Sequence, residues 1–440
     1  MRLAQKYIAV VCSILAGIFS GGSLAAQDGS DTVLVVENIS IIGNETTVPH
    51  VILREMSLHV GDTLTQTSLR HNVQHDRDQI YNLGLFNKVD VTYRRDSIDA
   101  EVLVAVSERW YFFPYPILGA RYHDITKLYY GAGVLHQNFR GRNEKLYGNF
   151  GFGYDQWVSV NYQNPKITDD DDIFFGANLS LYKLHNLDTA NGAYSNNNSS
   201  LLTTIGKRFG FYQTAYVYAG YNIWQVSEMQ TGRTVSATGR DAFFSASLQY
   251  WYDTRNNHEY TTDGTLVKWI LTKYGFGESE VNLTQINLDI RKFFGWGNEN
   301  GIGFRLYGDD ITGGNVPAYL HSFFGYNDRI RGYFTRVIEA EGKALASVEM
   351  RLPIITPRYF VADFIGIPQF QQLKYGLYFG IFADAGKAWY RNQIVADLPW
   401  YSGYGAGLQF LFPYGFVVRT EGAINNLGKT ELIFDLDTSF

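Results

Sequence analysis

The chain has 440 residues, of which 45% are hydrophobic and 16% aromatic, with 44 glycines, 32 tyrosines and a net charge of −6. This mild acidic balance, with no basic stripe, argues against a nucleic-acid partner. After residue 20 no stretch reaches the roughly 18 consecutive apolar residues typical of a membrane-spanning helix, so any passage through a membrane must be made by strands.

The N-terminus has the pattern of an export signal. Arg2 and Lys6 precede an apolar run over residues 7–19 and the small-residue stretch GGSLAAQ. This pattern predicts a secretory signal peptide over residues 1–26, followed by a short linker over 27–32. The apolar run is too short for a transmembrane anchor. The single cysteine, Cys12, lies inside this segment, so the mature chain is expected to have no disulfide.

Residues 33–108 predict a small α/β module that begins with a strand and a short helix. VLVVENISI has the composition of a strand, and the turn at Gly43 and Asn44 leads into PHVILREM. We expect the apolar stripe of that short helix to comprise Val51, Leu53 and Met56.

A second helix and two further strands complete the module. The helix is expected over residues 68–83, with Leu69, Val73 and Ile80 on one face. Gly84 then ends it, because glycine readily takes the left-handed position after a helix. The alternating stretches FNKVDVTYR and AEVLVAVSE predict two strands of a sheet with one buried face.

This module resembles a POTRA domain, the periplasmic module of the BamA and TamA superfamily. The resemblance is carried by IYNLGLFNKVDV, where a helix end, an aromatic residue and a strand follow at the family spacing. The matching positions are Gly43, Asn44, Gly61, Gly84 and Phe86, although Phe86 also suits simple core packing. Family POTRA domains bind clients by adding a strand to a sheet edge, so the resemblance implies unfolded or extended polypeptide partners.

Residues 109–440 repeat one theme, about ten residues of alternating polarity followed by a turn or polar loop. KLYGNFGFGY, AYVYAGYNIW and LTQINLDIRKF are examples. We count about 16 such segments, an even number, as closed single-chain bacterial barrels require. The predicted fold class is therefore an α+β periplasmic POTRA domain followed by an all-β, 16-stranded antiparallel transmembrane β-barrel. This predicts a location in the bacterial outer membrane.

One connection does not fit a short periplasmic turn. Residues 356–372 are long for such a turn and include Phe360, Phe364 and Ile365. Two interpretations remain open with equal weight: a segment resting at the inner lipid boundary, or an extension of the neighbouring strands.

Alternation places two carboxylates inside the barrel. In ALASVEMRL the apolar residues form the lipid face, which directs Glu349 inward, and LYFGIFADAG directs Asp384 inward on the next strand. Two unpaired carboxylates there would be costly, so a cation is expected between them. Arg331 can supply it if the long loop over residues 309–343 folds back inside, because a guanidinium can bridge two carboxylates.

The predicted space for this loop depends on glycines. Gly332 allows a tight turn between Arg331 and Tyr333. In GYGAGLQF, Gly405 and Gly407 are expected to face the lumen and to leave room beside Asp384.

The stretch RIRGYF resembles the Val-Arg-Gly-Phe/Tyr motif in the sixth extracellular loop of the BamA-like superfamily. In that family the loop re-enters the barrel and its arginine pairs with acidic residues on two strands. The resemblance implies that Arg331 pairs with Glu349 in SVEMRLP and with Asp384 in FADAGKAW, which also contains Gly386. The segment YDTRNNHEYTTDG resembles a second family signature. The resemblance extends over residues 33–440.

The last strand, ELIFDLDTSF, sets Phe434, Leu436 and Phe440 on the lipid side. A terminal aromatic residue on such a strand resembles the signal by which outer-membrane barrels are recognised for assembly.

No catalytic, metal or cofactor motif stands out. His321 beside Ser322 could form a hydrolase pair, but loop histidines next to serines are common by chance. The run over residues 169–172 could bind a hard cation, but it fits a solvated turn better. We therefore expect a protein that is not an enzyme and has no cofactor.

Two functions remain open from the sequence. The resemblance implies a polypeptide insertase or translocase that assists assembly or secretion of clients, with the lipid bilayer, client chains and periplasmic chaperones or accessory assembly proteins as partners. The alternative is a plugged transport or structural barrel, in which Arg331 only braces the loop. The chain departs from the superfamily's central assembly factor because it has room for one POTRA domain rather than several.

Overall fold

The computed structural model describes residues 32–121, 124–168, 171–186, 192–277, 279–297, 299–325, 328–334 and 336–436. The predicted signal peptide, all but the last residue of the linker, and Phe440 lie outside these residues. Within the described part, no helix is both long and apolar enough to cross a membrane.

The N-terminal region folds as a four-stranded sheet covered by two helices. Its strands are ordered β2-β1-β4-β3. The β1–β4 pair is parallel and the other two pairs are antiparallel. The elements are β1 Val33–Ile42, α1 Pro49–Leu53, β2 Thr63–Thr65, α2 Gln66–Asn82, β3 Phe86–Asp96 and β4 Asp99–Glu108.

The core of this region forms where the apolar face of α2 covers the sheet. Leu69, Ile80 and Phe86 are completely buried. Gly84 has a φ of +72°, the left-handed conformation expected after the helix. The predicted stripe of α1 was wrong at Leu53, which is 40% exposed, whereas its neighbour Ile52 is buried. The helix is only five residues long, so spacing alone did not fix which side faces the sheet.

Among the described residues, sixteen of the other strands form one sheet, in which neighbouring strands are antiparallel and, outside one loop, consecutive in sequence. A two-stranded ladder, β16 Ser322–Phe324 with β17 Ile338–Ala340, lies within that loop. Short 3₁₀ helices span Ala318–Leu320, Pro368–Phe370, Val395–Asp397 and Pro413–Gly415. The strands of the large sheet are β5 Phe112–Ala120, β6 Leu128–Phe139, β7 Glu144–Gly153, β8 Gln156–Asn164, β9 Ile173–His185, β10 Ser195–Phe209, β11 Gln213–Val226, β12 Arg240–Asp253, β13 Gly264–Tyr274, β14 Leu283–Trp296, β15 Asn300–Gly313, β18 Gly342–Val361, β19 Gln372–Trp389, β20 Tyr401–Leu411, β21 Val417–Asn425 and β22 Thr430–Leu436.

The two faces of this sheet differ as alternation requires for a barrel in lipid. Outward side chains such as Leu201 and Phe244 are 54% and 64% exposed, in positions where they can contact lipid. Inward side chains include the fully buried Glu349 and Arg351. Polar side chains are therefore kept from the hydrocarbon, and the ladders pair main-chain groups between neighbouring strands.

Two predicted connections are shorter in the structure. The long loop was expected over residues 309–343, but β15 continues to Gly313, which pairs with Leu283, and β18 begins at Gly342. Strand pairing likewise extends into the 356–372 connection, because β18 runs to Val361 opposite Gln372. Register shifts along β18 interrupt its regular alternation, which is why the sequence pattern ended too early. The exposed Phe364 lies in the short turn that remains.

Candidate functional site

The loop between β15 and β18 turns sharply at Gly332. Its φ is +97°, a conformation that glycine adopts without the strain other residues incur. The Gly332 carbonyl accepts a hydrogen bond from Asn425 Nδ2 at 2.8 Å, and the Tyr333 hydroxyl donates to Asn426 Oδ1 at 2.5 Å. The loop tip is therefore fixed against the end of β21.

Arg331 reaches two carboxylates on neighbouring strands. Its Nε and Nη2 donate to the two oxygens of Asp384, both at 2.8 Å, and its own backbone N–H donates to the same carboxylate at 3.0 Å. Nη1 donates to Glu349 Oε2 at 2.5 Å. The side chains of all three residues are at least 95% buried. The guanidinium thus makes a bidentate pair with β19 and a further bond to β18.

An aromatic ring and a third carboxylate complete the surroundings of this guanidinium. The Phe382 ring lies below it, with its centroid 3.6 Å from Cζ, a favourable cation–π position. Glu421 Oε1 on β21 lies 3.8 Å from Nη1. Glu349 is shared, because Arg351 Nε donates to its other oxygen at 2.8 Å.

Positive and negative charges balance in this network, which reduces the free-energy cost of removing them from water. Four arginines are paired with four carboxylates along the lumen wall and loop. The members are Arg329, Arg331, Arg351 and Arg419 with Glu349, Asp384, Glu421 and Asp435.

Glycines on the strands let the loop approach the lumen wall closely. The glycine nearest to Arg331 is Gly403, which differs from the two that the sequence predicted. A Cβ on Gly403 would lie 1.9 Å from the Arg331 carbonyl oxygen, and one on Gly386 would lie 2.9 Å from Ile330 Cδ1. Gly405 and Gly407 were expected to clear space for the loop. A Cβ on either would instead meet the backbone of β21, and one on Gly405 would also meet Phe382. Gly403 is the residue opposite Asp384 in the ladder.

Further ion pairs fix the loop on both sides of Arg331. Asp328 pairs with Arg305 on β15 at 2.9 Å and with Lys343 on β18 at 2.8 Å. Arg329 pairs with Asp435 on β22 at 2.9 Å. These pairs and the contacts described above bring the loop against six neighbouring strands in the C-terminal half of the sheet. The strands are β15, β18, β19, β20, β21 and β22.

The other residues singled out from the sequence lie apart from this network or form other contacts. Phe434 and Leu436 are about two-thirds exposed on the outer face. His321 pairs with Glu339, whereas the Ser322 hydroxyl donates to Asp309 at 2.5 Å, so the two have different partners.

The acidic run has ordinary partners where it is described. Asp171 and Asp172 pair with Lys207 and Lys166, at 3.1 and 3.2 Å. No cluster of three or more possible metal ligands occurs among the described residues.

Sequence reasoning missed several members of the network. Arg419 and Glu421 sit at alternate positions in VVRTEGAIN, so the argument that directed Glu349 inward would also have directed these two inward. Asp328 and Arg329 lie in irregular loop, where no periodicity indicates a partner.

A second, largely buried cluster joins the N-terminal region to the large sheet. Glu259, in the turn between β12 and β13, pairs with Arg109 at 2.5 Å and Lys374 at 3.1 Å, and accepts a hydrogen bond from the Tyr81 hydroxyl at 2.7 Å. Burial by itself would raise the pKa of Glu259, but the charges of Lys374 and Arg109 outweigh it and lower the pKa from 4.5 to about 2. Arg208, on β10, also pairs with Glu55 of the N-terminal region at 2.7 Å.

Replacing Glu259 with glutamine is expected to loosen this contact, because it leaves two cations facing a neutral amide. Amide hydrogen exchange over residues 105–111 should rise, while Glu280→Gln, at an exposed outer-loop position, should leave it unchanged. In the wild type the contact should be fully present above about pH 4.5 and lost as the pH falls towards 2, because the folded-state pKa is lowered. Equal exchange in E259Q and wild type would contradict a role for this cluster.

Comparison with known proteins agrees with this architecture. The Omp85 superfamily domain matches residues 138–420, and the POTRA family described as a surface antigen variable number repeat matches residues 34–109. The outer membrane protein assembly factor BamA of Nitratidesulfovibrio vulgaris is 20% identical over 317 residues, which is 69% of this chain and 38% of that protein. The chain thus spans under two-fifths of the length of this relative.

Two solved structures share the fold. BamA from Haemophilus ducreyi lacking POTRA domains 1–3 aligns with a TM-score of 0.55 at 17% identity, covering 92% of this chain and 84% of that one. CdiB from Escherichia coli aligns with a TM-score of 0.50 at 9% identity, covering 95% and 91%.

The predicted fold class is confirmed by these matches and by the sixteen-stranded antiparallel sheet that follows a POTRA region. The same findings confirm an outer-membrane location with the POTRA region in the periplasm. The chain belongs to the Omp85 superfamily, as a barrel with a single matched POTRA domain.

Proposed function

We propose that this protein is an outer-membrane polypeptide insertase or translocase that assists the assembly or secretion of client proteins. The relative named as an outer membrane protein assembly factor supports the general activity. The observation that carries the proposal is the loop network, in which the loop residue Arg329 pairs with Asp435 on β22, the last strand of the sheet. A loop that only blocked the lumen would not require an ion pair to the last strand of the sheet.

The POTRA sheet offers a place for a client to bind. β3 is an end strand of that sheet and is eleven residues long, whereas the opposite end strand, β2, has three. The unpaired main-chain groups of an end strand can pair with an extended chain of almost any sequence. In this proposal β3 receives the client and passes it to the barrel, to which the Glu259 cluster holds the domain.

Arg331 has a mechanical role in this proposal. Its pairs with Asp384 and Glu349 hold the loop inside the barrel and keep the C-terminal strands in a fixed arrangement. We propose no catalytic chemistry and no cofactor, because strand pairing and lipid insertion are driven by main-chain hydrogen bonds and apolar burial.

Depletion of the protein tests the proposal. Quantitative proteomics of the outer membrane and the culture medium should reveal loss of a specific set of outer-membrane or secreted proteins. A plugged transport barrel would instead lose uptake or efflux of particular solutes while the protein content stayed constant. That second pattern would reject the insertase proposal.

A further inference from the structure

A cavity of about 370 Å³ lies on the lumen side of the large sheet, where the sheet meets the POTRA region. Its wall is formed largely by inward residues of β7 and β9 to β13, and its floor by residues that follow α1 or lie on α2. Among the described residues, neither the loop between β15 and β18 nor the Glu259 cluster contributes to the lining. The cavity is therefore separate from the two networks described above.

The lining of this cavity carries an excess of positive charge. Five lysine or arginine side chains line it, but only three carboxylates do. Each carboxylate already has a cation within 3.2 Å. The pairs are Glu55 with Arg208 at 2.7 Å and with Arg54 at 3.2 Å, Asp253 with Arg255 at 2.7 Å, and Asp172 with Lys166 at 3.2 Å. The uncompensated charge therefore lies on Lys145 and Lys268.

Both of these lysines face the cavity. Phe150 is exposed on the lipid face of β7, so the odd-numbered Lys145 points inward. Trp269 is exposed on the lipid face of β13, so Lys268 points inward in the same way.

Neither ammonium group makes an ion pair or a hydrogen bond with a described residue. Lys268 Nζ instead lies 4.1 Å from the centroid of the Trp251 ring, and Lys145 is exposed to the cavity. Both lysines therefore keep free donors at this site.

The type and placement of these donors indicate the kind of ligand. A lysine ammonium group has three donors and no acceptor, so oxyanions are its strongest partners. β7 and β13 are six positions apart in the order of the sheet, which corresponds to roughly 29 Å along the wall. A single small ion would therefore meet only one of the two lysines. A ligand that pairs with both must be elongated and must carry at least two acidic groups.

We propose that this cavity binds an oligoanion, a small molecule with two or more phosphate or carboxylate groups, through Lys145 and Lys268. The cavity volume lies in the range of small-molecule sites. Arg54 and Gln79 of the POTRA region line the same cavity as the strands. A bound ligand therefore contacts both parts of the protein and favours the arrangement in which they are docked. The site goes beyond the proposed function and does not depend on the client.

Isothermal titration calorimetry on the purified protein in detergent at low ionic strength tests the site. The probes are tripolyphosphate and citrate, and the controls with one acidic group are orthophosphate and acetate. We expect saturable one-to-one binding of at least one probe, and at least tenfold weaker binding of its control. Binding of tripolyphosphate alone assigns a phosphate ligand, and binding of citrate alone assigns a carboxylate ligand. Failure of both probes to bind, or equal affinity for a probe and its control, would overturn the inference.

A pair of double variants tests the two lysines. K145Q/K268Q should weaken binding of the probe at least tenfold, because it removes both ammonium groups while the side chains stay polar. The matched variant K207Q/K429Q loses the same charge at two exposed lysines outside the cavity, and it should bind as the wild type does. Unchanged binding in K145Q/K268Q, or equal weakening in the two variants, would overturn the assignment of the site.

Amide hydrogen exchange tests whether the ligand bridges the POTRA region and the sheet. Saturating probe should slow exchange over residues 54–58 at the floor of the cavity in the wild type, but not in K145Q/K268Q. Exchange over residues 426–429, an exposed turn remote from the lining, should stay unchanged. Binding without protection of residues 54–58 would overturn the bridging role. Neither measurement depends on the depletion experiment, so the site and the proposed function can fail separately.

Discussion

Replacing Arg331 with alanine is expected to destabilise the folded barrel by about 3–5 kcal/mol, because it leaves buried carboxylates without their main cation. Asp384 would lose its bidentate partner and Glu349 its shortest bond. Urea unfolding in proteoliposomes, followed by tryptophan fluorescence, measures the loss. The control is Arg336→Ala, an exposed arginine of the same loop. Equal midpoints for R331A and R336A would contradict the buried pairing.

A lysine at position 331 separates bracing from a part in client handling. Lysine keeps the charge but cannot form the planar fork to Asp384, so we expect a smaller loss of about 1–3 kcal/mol. If R331K folds to wild-type amounts while client proteins disappear from the membrane, the loop takes part in the working cycle. If client levels follow barrel stability alone, Arg331 only braces the structure.

Gly403→Ala is expected to have the second large effect. The added Cβ would lie 1.9 Å from the Arg331 carbonyl oxygen, so either the loop tip or β20 must move. Overpacking of this kind costs about 1–3 kcal/mol, and here it also displaces the guanidinium from its carboxylates. Unfolding of the reconstituted variant measures this cost.

Gly422→Ala on the neighbouring strand is the matched control, because a Cβ there meets no atom within 4 Å. It should unfold at the wild-type midpoint. If G403A and G422A behave alike, the loop does not lie against β20 as described.

The period-two alternation made most of the barrel predictable. A side chain's face follows from its parity along the strand, which is why SVEMRL and LYFGIFADAG placed Glu349 and Asp384 on the lumen side. The POTRA helix α2 was predictable for the same kind of reason, since Leu69 and Ile80 fall on one face over seventeen residues. In a long element the regular spacing identifies the buried face even where single residues depart from it. A short element has too few residues for this.

Contacts between distant segments could not be predicted in the same way. Gly403 was overlooked because alternation gives a face but not the height at which a loop meets it. Asp328 lies in irregular backbone and pairs with Arg305 and Lys343 only because of the loop's path. The Glu259 cluster joins two domains across more than a hundred residues of sequence, and no local pattern contains that information.

The central claim is that the loop arginine and the wall carboxylate interact directly inside the barrel. A double-mutant cycle on Arg331→Gln and Asp384→Asn measures that interaction from four unfolding free energies. We expect a coupling energy within the roughly 0.5–3 kcal/mol range of residues in direct contact. Additivity of the two substitutions, within about 0.3–0.5 kcal/mol, would mean that the residues do not interact and would contradict the account.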